Sequence, residues 1–218
     1  MLVKAVVFDL DGTLVNSLED IANSMNMVLE RHHFPTHSFV AYQQFIGHGI
    51  RDLVSKAIPD SHKNDNFISS FLKEMMEVYS MQCTKNTKMY AGISDLLDSL
   101  TAKEIPMVVF SNKVEVLTKK VVSEVLSDWT FYKTIGLTTE ALKKPNPDKA
   151  LQIAQKLGVA SDEILFIGDS EADMQTANRA KMQPVGVLWG FRTKAQLLNS
   201  GAKYIIKEPM ELMKIVEG

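Results

Sequence analysis

Short apolar runs punctuate the chain at Val3–Phe8, Pro106–Ser111, Tyr132–Leu137, Ile164–Ile167, Val185–Trp189 and Tyr204–Ile206. Most are continuous rather than alternating, the pattern of parallel strands covered on both faces. Between the later runs, apolar residues return at helical spacing. One set is Ile93, Leu96, Leu97 and Leu100; another is Val121, Val122, Val125 and Leu126; a third is Ala150, Leu151, Ala154 and Leu157, closed by Gly158. Strand and helix alternating in this order predict an α/β fold built on a parallel sheet.

Residues 16–85 break that rhythm, offering helical periodicity and no convincing strand. Ser17 with Asp20 resembles a capping box, and Leu18, Ile21, Ala22, Met25, Val28 and Leu29 follow on one helical face. Phe67, Ile68, Phe71, Leu72, Met75 and Met76 mark another helix, its methionines read as core filler. The expected organisation is a core domain of residues 1–15 and 86–218 with an inserted α-helical domain, 16–85. Linkers near Leu14–Asn16 and Thr84–Ala91 would join the two.

Composition narrows the setting. With 218 residues, 45% hydrophobic, the chain can bury a large core, and a formal charge of -2 without charge blocks argues against a nucleic-acid or membrane partner. The single cysteine, Cys83, forms no internal disulfide and reads as a small hydrophobe. Asp9 interrupts the apolar start well short of a signal-peptide core, and no run approaches a membrane span. A soluble, cytoplasmic protein is expected, monomer or homodimer.

The first strand ends in VVFDLDGTLVNS. Residues two apart in an extended strand point the same way, so Asp9 and Asp11 converge beyond the strand's C-terminal edge, where parallel α/β sheets bind ligands. Two like charges there are unfavourable unless a cation joins them or one holds a proton. Other strand ends are equipped to match: Ser111, Asn112 and Lys113 in VVFSNK, Asp169 and Asp173 in GDSEAD, and Lys143 and Lys144 in KKPNPD. Singly, each has a bland account as a cap, a turn or a solvated charge; four together at strand ends point to one site.

These motifs resemble those of the haloacid dehalogenase-like hydrolases along the whole chain. DLDGT is similar to the family's first motif, the serine of VVFSN to its second, Lys144 of KKPNPD to its third and GDSEAD to its fourth. The resemblance implies a Rossmann-like core with a helical cap. DLDGTLVNS, FIGHGIRDLV, SNK, KKPNPD and GVLWGF narrow it to the phosphoglycolate phosphatase-like members, which hydrolyse small phosphorylated metabolites with Mg2+.

It further implies Asp9 as the nucleophile that becomes an aspartyl-phosphate and Asp11 as the acid and then the base. Thr13, Ser111 and Asn112 would bind the phosphoryl group, and Lys144 would offset charge. Asp9, Asp169, Asp173 and the Asp11 carbonyl would hold the metal. In the cap, His48 and Arg51 are expected near the leaving group. Arg51 would suit a carboxylate; the competing reading pairs it with a surface acid on the cap.

The pattern departs from the family at Lys181 and Ala91, where relatives commonly carry glycine and proline, and at Val114, where proline is common. A sugar phosphomutase shares the cap and both aspartates, and a pyrophosphatase or nucleotidase of the same superfamily is a further alternative. A phospho-aspartate receiver module is shorter, lacks a cap and places its acidic residues on different strands. His32, His33 and His37 lack the ligand set of a zinc site and read as surface histidines. GHG at 47–49 is too short for a nucleotide loop.

Overall fold

The computed structural model describes residues 2–218. Six parallel strands form one sheet: β1 (Ala5–Phe8), β4 (Met107–Val114), β5 (Lys133–Leu137), β6 (Ile164–Gly168), β7 (Gln183–Val187) and β8 (Tyr204–Ile206), in the order β5-β4-β1-β6-β7-β8. All six answer to the apolar runs of the sequence. β1 lies at the centre, Phe8 in register with Val109 on one side and Ile167 on the other. The chain leaves β1 for β4 and later crosses to β6, so β1 flanks the topological switch point where such sheets bind ligands.

The apolar strands are continuous because both faces are covered. Val6 and Phe8 point into one core with Leu96 and Leu97 of α5 (Ile93–Ala102) and Val121 of α6 (Glu115–Val125). Ala5 and Val7 point into the other, with Ala150 and Ile153 of α7 (Asp148–Leu157) and Ala177 of α8 (Glu171–Arg179). α9 (Lys194–Asn199) and α10 (Glu211–Glu217) complete the layers. Lys181, at the position where relatives commonly carry glycine, takes left-handed backbone with φ of 58°.

Between β1 and β4 the chain forms α1 (Leu18–Arg31), α2 (Phe39–Phe45), α3 (Ile50–Ala57) and α4 (Asp65–Gln82). α2 has no counterpart in the sequence reading. Its one-face pattern is too short to stand out, with Tyr42 alone buried. The two linkers pair with each other: β2 (Val15–Asn16) runs antiparallel to β3 (Lys88–Met89). Both chain crossings therefore lie side by side.

The anticipated capping box at the start of α1 does not form. Ser17 makes no cap hydrogen bond, and its hydroxyl donates instead to Asp11 Oδ1 at 2.5 Å. Asp20, 1% exposed, turns to the returning linker. Its carboxylate accepts from the backbone N–H groups of Asn86 and Thr87 and from the Thr87 hydroxyl at 2.7–3.0 Å. An acid that satisfies buried backbone donors is worth more there than at a helix cap. Asp20→Ala should lower unfolding free energy by about 2–3 kcal/mol, read as a reduced urea midpoint at unchanged slope; Asp20→Asn should recover part of the loss.

Candidate active site

Four strand ends and loops deliver the site. Asp9 follows β1 and is fixed by its N–H donating to Ile167 O at 2.9 Å. Asp169 follows β6, and Asp173 lies in the first turn of α8. Oxygens of Asp9, Asp169 and Asp173 come within 4.8 Å of one another, and all three residues are buried. The Lys144 ammonium enters from the loop before α7, 2.8 Å from Asp9 Oδ1 and 2.7 Å from Asp173 Oδ1, and donates to Phe110 O at 3.0 Å. Lys143, by contrast, pairs with Glu140.

Each carboxylate is oriented by a second group. Ser170 donates to Asp173 Oδ2 through its N–H and its hydroxyl, closing a capping box on α8. The Phe191 N–H donates to Asp169 Oδ2 at 2.8 Å, and the Thr13 hydroxyl lies 3.4 Å from Asp169 Oδ1. The turn after β1 must pass close to Asp169. Gly12 has φ of +88°, and a Cβ there would sit 2.4 Å from Asp169 Oδ2. The Trp189 indole N–H donates to Thr13 O at 2.9 Å and pins the same turn.

Three buried carboxylates around one ammonium leave two negative charges uncompensated. Burial pushes the Asp9 carboxyl up to about 7; the Asp173 charge adds to this and Lys144 opposes it. Asp169 is raised well above the ordinary carboxylate range by burial and by its two acidic neighbours. Although Lys144 is close to Asp9 Oδ1, it approaches off the hydrogen-bonding direction, and that buried oxygen lacks a hydrogen bond. An all-oxygen, acidic, buried donor set fits a hard divalent cation.

Asp11 faces away from this cluster. Its Oδ1 receives Ser17 and the Lys113 ammonium, the latter at 2.7 Å, and no protein group among the described residues hydrogen-bonds Oδ2. Lys113 also donates to the Tyr79 hydroxyl of α4 at 2.5 Å. Burial alone would lower the Lys113 pKa; Asp11 and Tyr79 outweigh it and hold the ammonium above the usual lysine range. Ser111 Oγ accepts the Lys113 N–H at 3.2 Å, so its own proton stays available. Asp9, Asp11, Ser111 and Lys113 line a cavity of about 50 Å³, closed on its far side by residues of α1, α3 and α4.

The site gathers Asp9, Asp11, Thr13, Ser111, Lys144, Asp169 and Asp173 at one edge of the sheet. Asn112 is there too, but its amide is spent on the backbone. It donates to Gly47 O and Lys144 O at 3.2 Å, and accepts the Lys144 N–H at 2.8 Å. The expectation for Arg51 is corrected: its guanidinium bonds Asp65 and Ser69 on α4 at 2.9 and 3.1 Å and does not line the cavity. His48 is half-buried beside Asp52, Glu171 and Arg192, lowered in pKa by burial, and also lies off the cavity wall.

Of the histidine cluster, His33 is exposed as expected, while His32 and His37 have structural partners. His32 pairs with Glu74 and packs on Phe71, and His37 bonds Ala57 O at 2.7 Å. Two contributors escaped sequence reasoning: Tyr79 and Arg192. The sequence places Lys113 at the strand end without giving it a role, although it lies two residues past Ser111 on the same strand and so shares the site face. Tyr79 and Arg192 carry no local signal. Arg192 reaches across from the loop after β7 to Gln43 O and Ile46 O at 2.7 and 2.8 Å.

Comparison with known proteins agrees with this geometry. The family model of haloacid dehalogenase-like hydrolases matches residues 6–187, and the chain belongs to that family. A phosphoglycolate phosphatase of Chromobacterium violaceum is 30% identical over 97% of both chains. One of Aquifex aeolicus is 29% identical over 98% of this chain and 97% of its own. The structure of a candidate phosphoglycolate phosphatase from Lactobacillus delbrueckii subsp. bulgaricus superposes with a TM-score of 0.90 at 27% identity, covering 99% of each chain. The chain is thus a phosphatase with a Rossmann-like parallel core. No helix among the described residues is long and apolar enough to cross a membrane.

The raised Asp9 pKa sets a pH dependence. A carboxyl that titrates near 7 when folded and near 3.8 otherwise favours the folded state fully below pH 4 and withdraws that support as pH rises through 7. Without divalent cations, the cluster should therefore cost thermal stability between pH 5 and 8. Added Mg2+ should raise Tm more at pH 8 than at pH 5, by differential scanning fluorimetry. Equal shifts at both pH values would show that the cation binds elsewhere.

Proposed function

We propose that this phosphatase is Mg2+-dependent, forms an aspartyl-phosphate on Asp9, and acts on small phosphorylated metabolites, phosphoglycolate first among them. The observation that supports it most is the division of labour between the two aspartates. Both line the cavity, but Asp9 lies in the acidic cluster against Lys144, while Asp11 pairs with Lys113 and keeps one carboxylate oxygen free. The names of the relatives favour phosphoglycolate; the chemistry rests on the residues.

Asp9, Asp169, Asp173 and the Asp11 carbonyl would hold Mg2+, whose charge makes a buried carboxylate able to meet a phosphate dianion. Asp9 attacks phosphorus as the bond to the leaving oxygen breaks. Asp11 gives its proton to that oxygen, so the departing group leaves as an alcohol. It then removes a proton from the water that cleaves the aspartyl-phosphate, restoring Asp9 and releasing inorganic phosphate. Ser111 and Thr13 donate to the phosphoryl oxygens, and Lys144 neutralises Asp9 during attack. Asn112 serves by holding the Lys144 loop.

Residues 16–85 act as the cap and residues 1–15 and 86–218 as the core in this reading. Arg192 and Asn112 hold the cap shut by bonding the carbonyls of Gln43, Ile46 and Gly47. Closure keeps bulk water from the aspartyl-phosphate.

Asp9→Asn should abolish turnover with the fold intact by circular dichroism; residual kcat above a few per cent would exclude Asp9 as nucleophile. Asp11→Asn should lose roughly 10²–10⁴-fold on alkyl phosphates. The deficit should shrink on p-nitrophenyl phosphate, whose leaving group needs no proton.

EDTA should silence the enzyme, Mg2+ revive it and Ca2+ inhibit, because the looser coordination of Ca2+ misplaces the nucleophile. Full activity in chelator would refute the metal role. Conversion of a hexose 1-phosphate without phosphate release would indicate the mutase alternative instead.

A further inference from the structure

The cavity beside Asp11 holds a cation that the phosphoryl chemistry leaves unused. Its walls are largely apolar, with Ile21, Ile46, Ile50 and Leu53 contributed from the helical segment and Leu117 from α6. Lys113 is the only cationic side chain on them. That side chain is 3% exposed, a costly place for an ammonium. An ammonium has three donors; Asp11 and Tyr79 take two, and the third has no protein acceptor among the described residues. Tyr79 accepts from Lys113, which leaves the phenol proton free to donate.

Size restricts what could lie there. The cavity is small, about 50 Å³, so a short leaving group suits it better than a bulky one. A methylene bearing a carboxylate is such a group.

We propose that Lys113 is the specificity-determining residue of this enzyme: it leaves Asp11 Oδ1 and takes the carboxylate of a short leaving group, with Tyr79 donating a second hydrogen bond. This rests on the aspartyl-phosphate reading, because Asp9 fixes where the phosphoryl end sits and thereby where the leaving group points. The resting pair with Asp11 is then a placeholder. Substrate supplies the anion that satisfies Lys113, and Asp11 is released to meet the leaving oxygen at the same moment. The role that the sequence offered to Arg51 falls to a core residue, with the helical segment contributing Tyr79.

The test compares phosphoglycolate with 2-hydroxyethyl phosphate, a neutral ester of similar size, in the full-length Mg2+-loaded enzyme. Wild type should prefer phosphoglycolate in kcat/KM. Lys113→Met should cut that preference about 10- to 100-fold, the worth of one charge-assisted contact, with most of the change in KM. Tyr79→Phe should reduce it less and in the same direction, and it decides the matter if the Lys113 variant does not fold. Equal losses on both esters would overturn the proposal and leave Lys113 as a positioning residue for Asp11. A wild type that releases phosphate from both esters with equal kcat/KM would also overturn it, while leaving the aspartyl-phosphate reading intact. That reading has its own check: acid-quenched enzyme should carry phosphate on Asp9 with either ester, whatever stands at position 113.

Discussion

A lysine ammonium buried among carboxylates is the constraint on which the rest of this structure depends. Lys144 is 1% exposed and touches Asp9, Asp173 and a strand carbonyl, with its ammonium 5.5 and 5.9 Å from the ring centroids of Phe110 and Phe166. A charge held there is tolerable only because every partner is fixed in advance. β1 fixes Asp9, the capping box of α8 fixes Asp173, and Asn112 fixes the backbone of Lys144 itself. The ammonium still leaves the cluster short of positive charge. In the proposed mechanism, that shortage is what draws a cation to the site and what makes it reluctant to accept a phosphate dianion without one.

Much of this was legible in the sequence, for physical reasons. Strands buried on both faces must be continuously apolar, so all six core strands announced themselves. The carboxylates at the ends of β1 and β6 have no role in a core and could be noticed because they interrupt apolar runs. What was missed depends on contacts between distant segments. Ser17 and Asp20 satisfy the local rule for a capping box, but each found a better partner: Asp11 for the first, two linker amides for the second. Arg51 had the right chemistry for a carboxylate and the wrong direction, because Asp65 and Ser69 lie nearer on α4. Tyr79 and Arg192 acquire meaning only once the helical segment rests on the core.

The two halves of the site obey different rules. At the phosphoryl end, rigid backbone elements hold charged groups at fixed positions. Around the cavity, walls from the inserted segment (Ile21, Ile46, Ile50, Leu53 and Tyr79) face walls from the core, the two joined through the paired strands β2 and β3 and a few hydrogen bonds to backbone carbonyls. In the proposed reading, substrate choice therefore needs both parts of the chain at once: Lys113 from the core and Tyr79 from the insert.

The position of β1 has a consequence for how the protein is made. Its four residues are translated well before their partners on either side, which begin at Met107 and Ile164. At about 5–20 residues per second, a ribosome needs on the order of ten to thirty seconds to supply the second neighbour. Throughout that interval an apolar strand with at least one hydrogen-bonding edge open must be kept from pairing elsewhere. The turn after it waits longer still, until Trp189 arrives to clasp Thr13. The nascent chain is thus open first where it is most apolar and then in the turn beside it, and the two close in that order as β6 and then Trp189 are delivered.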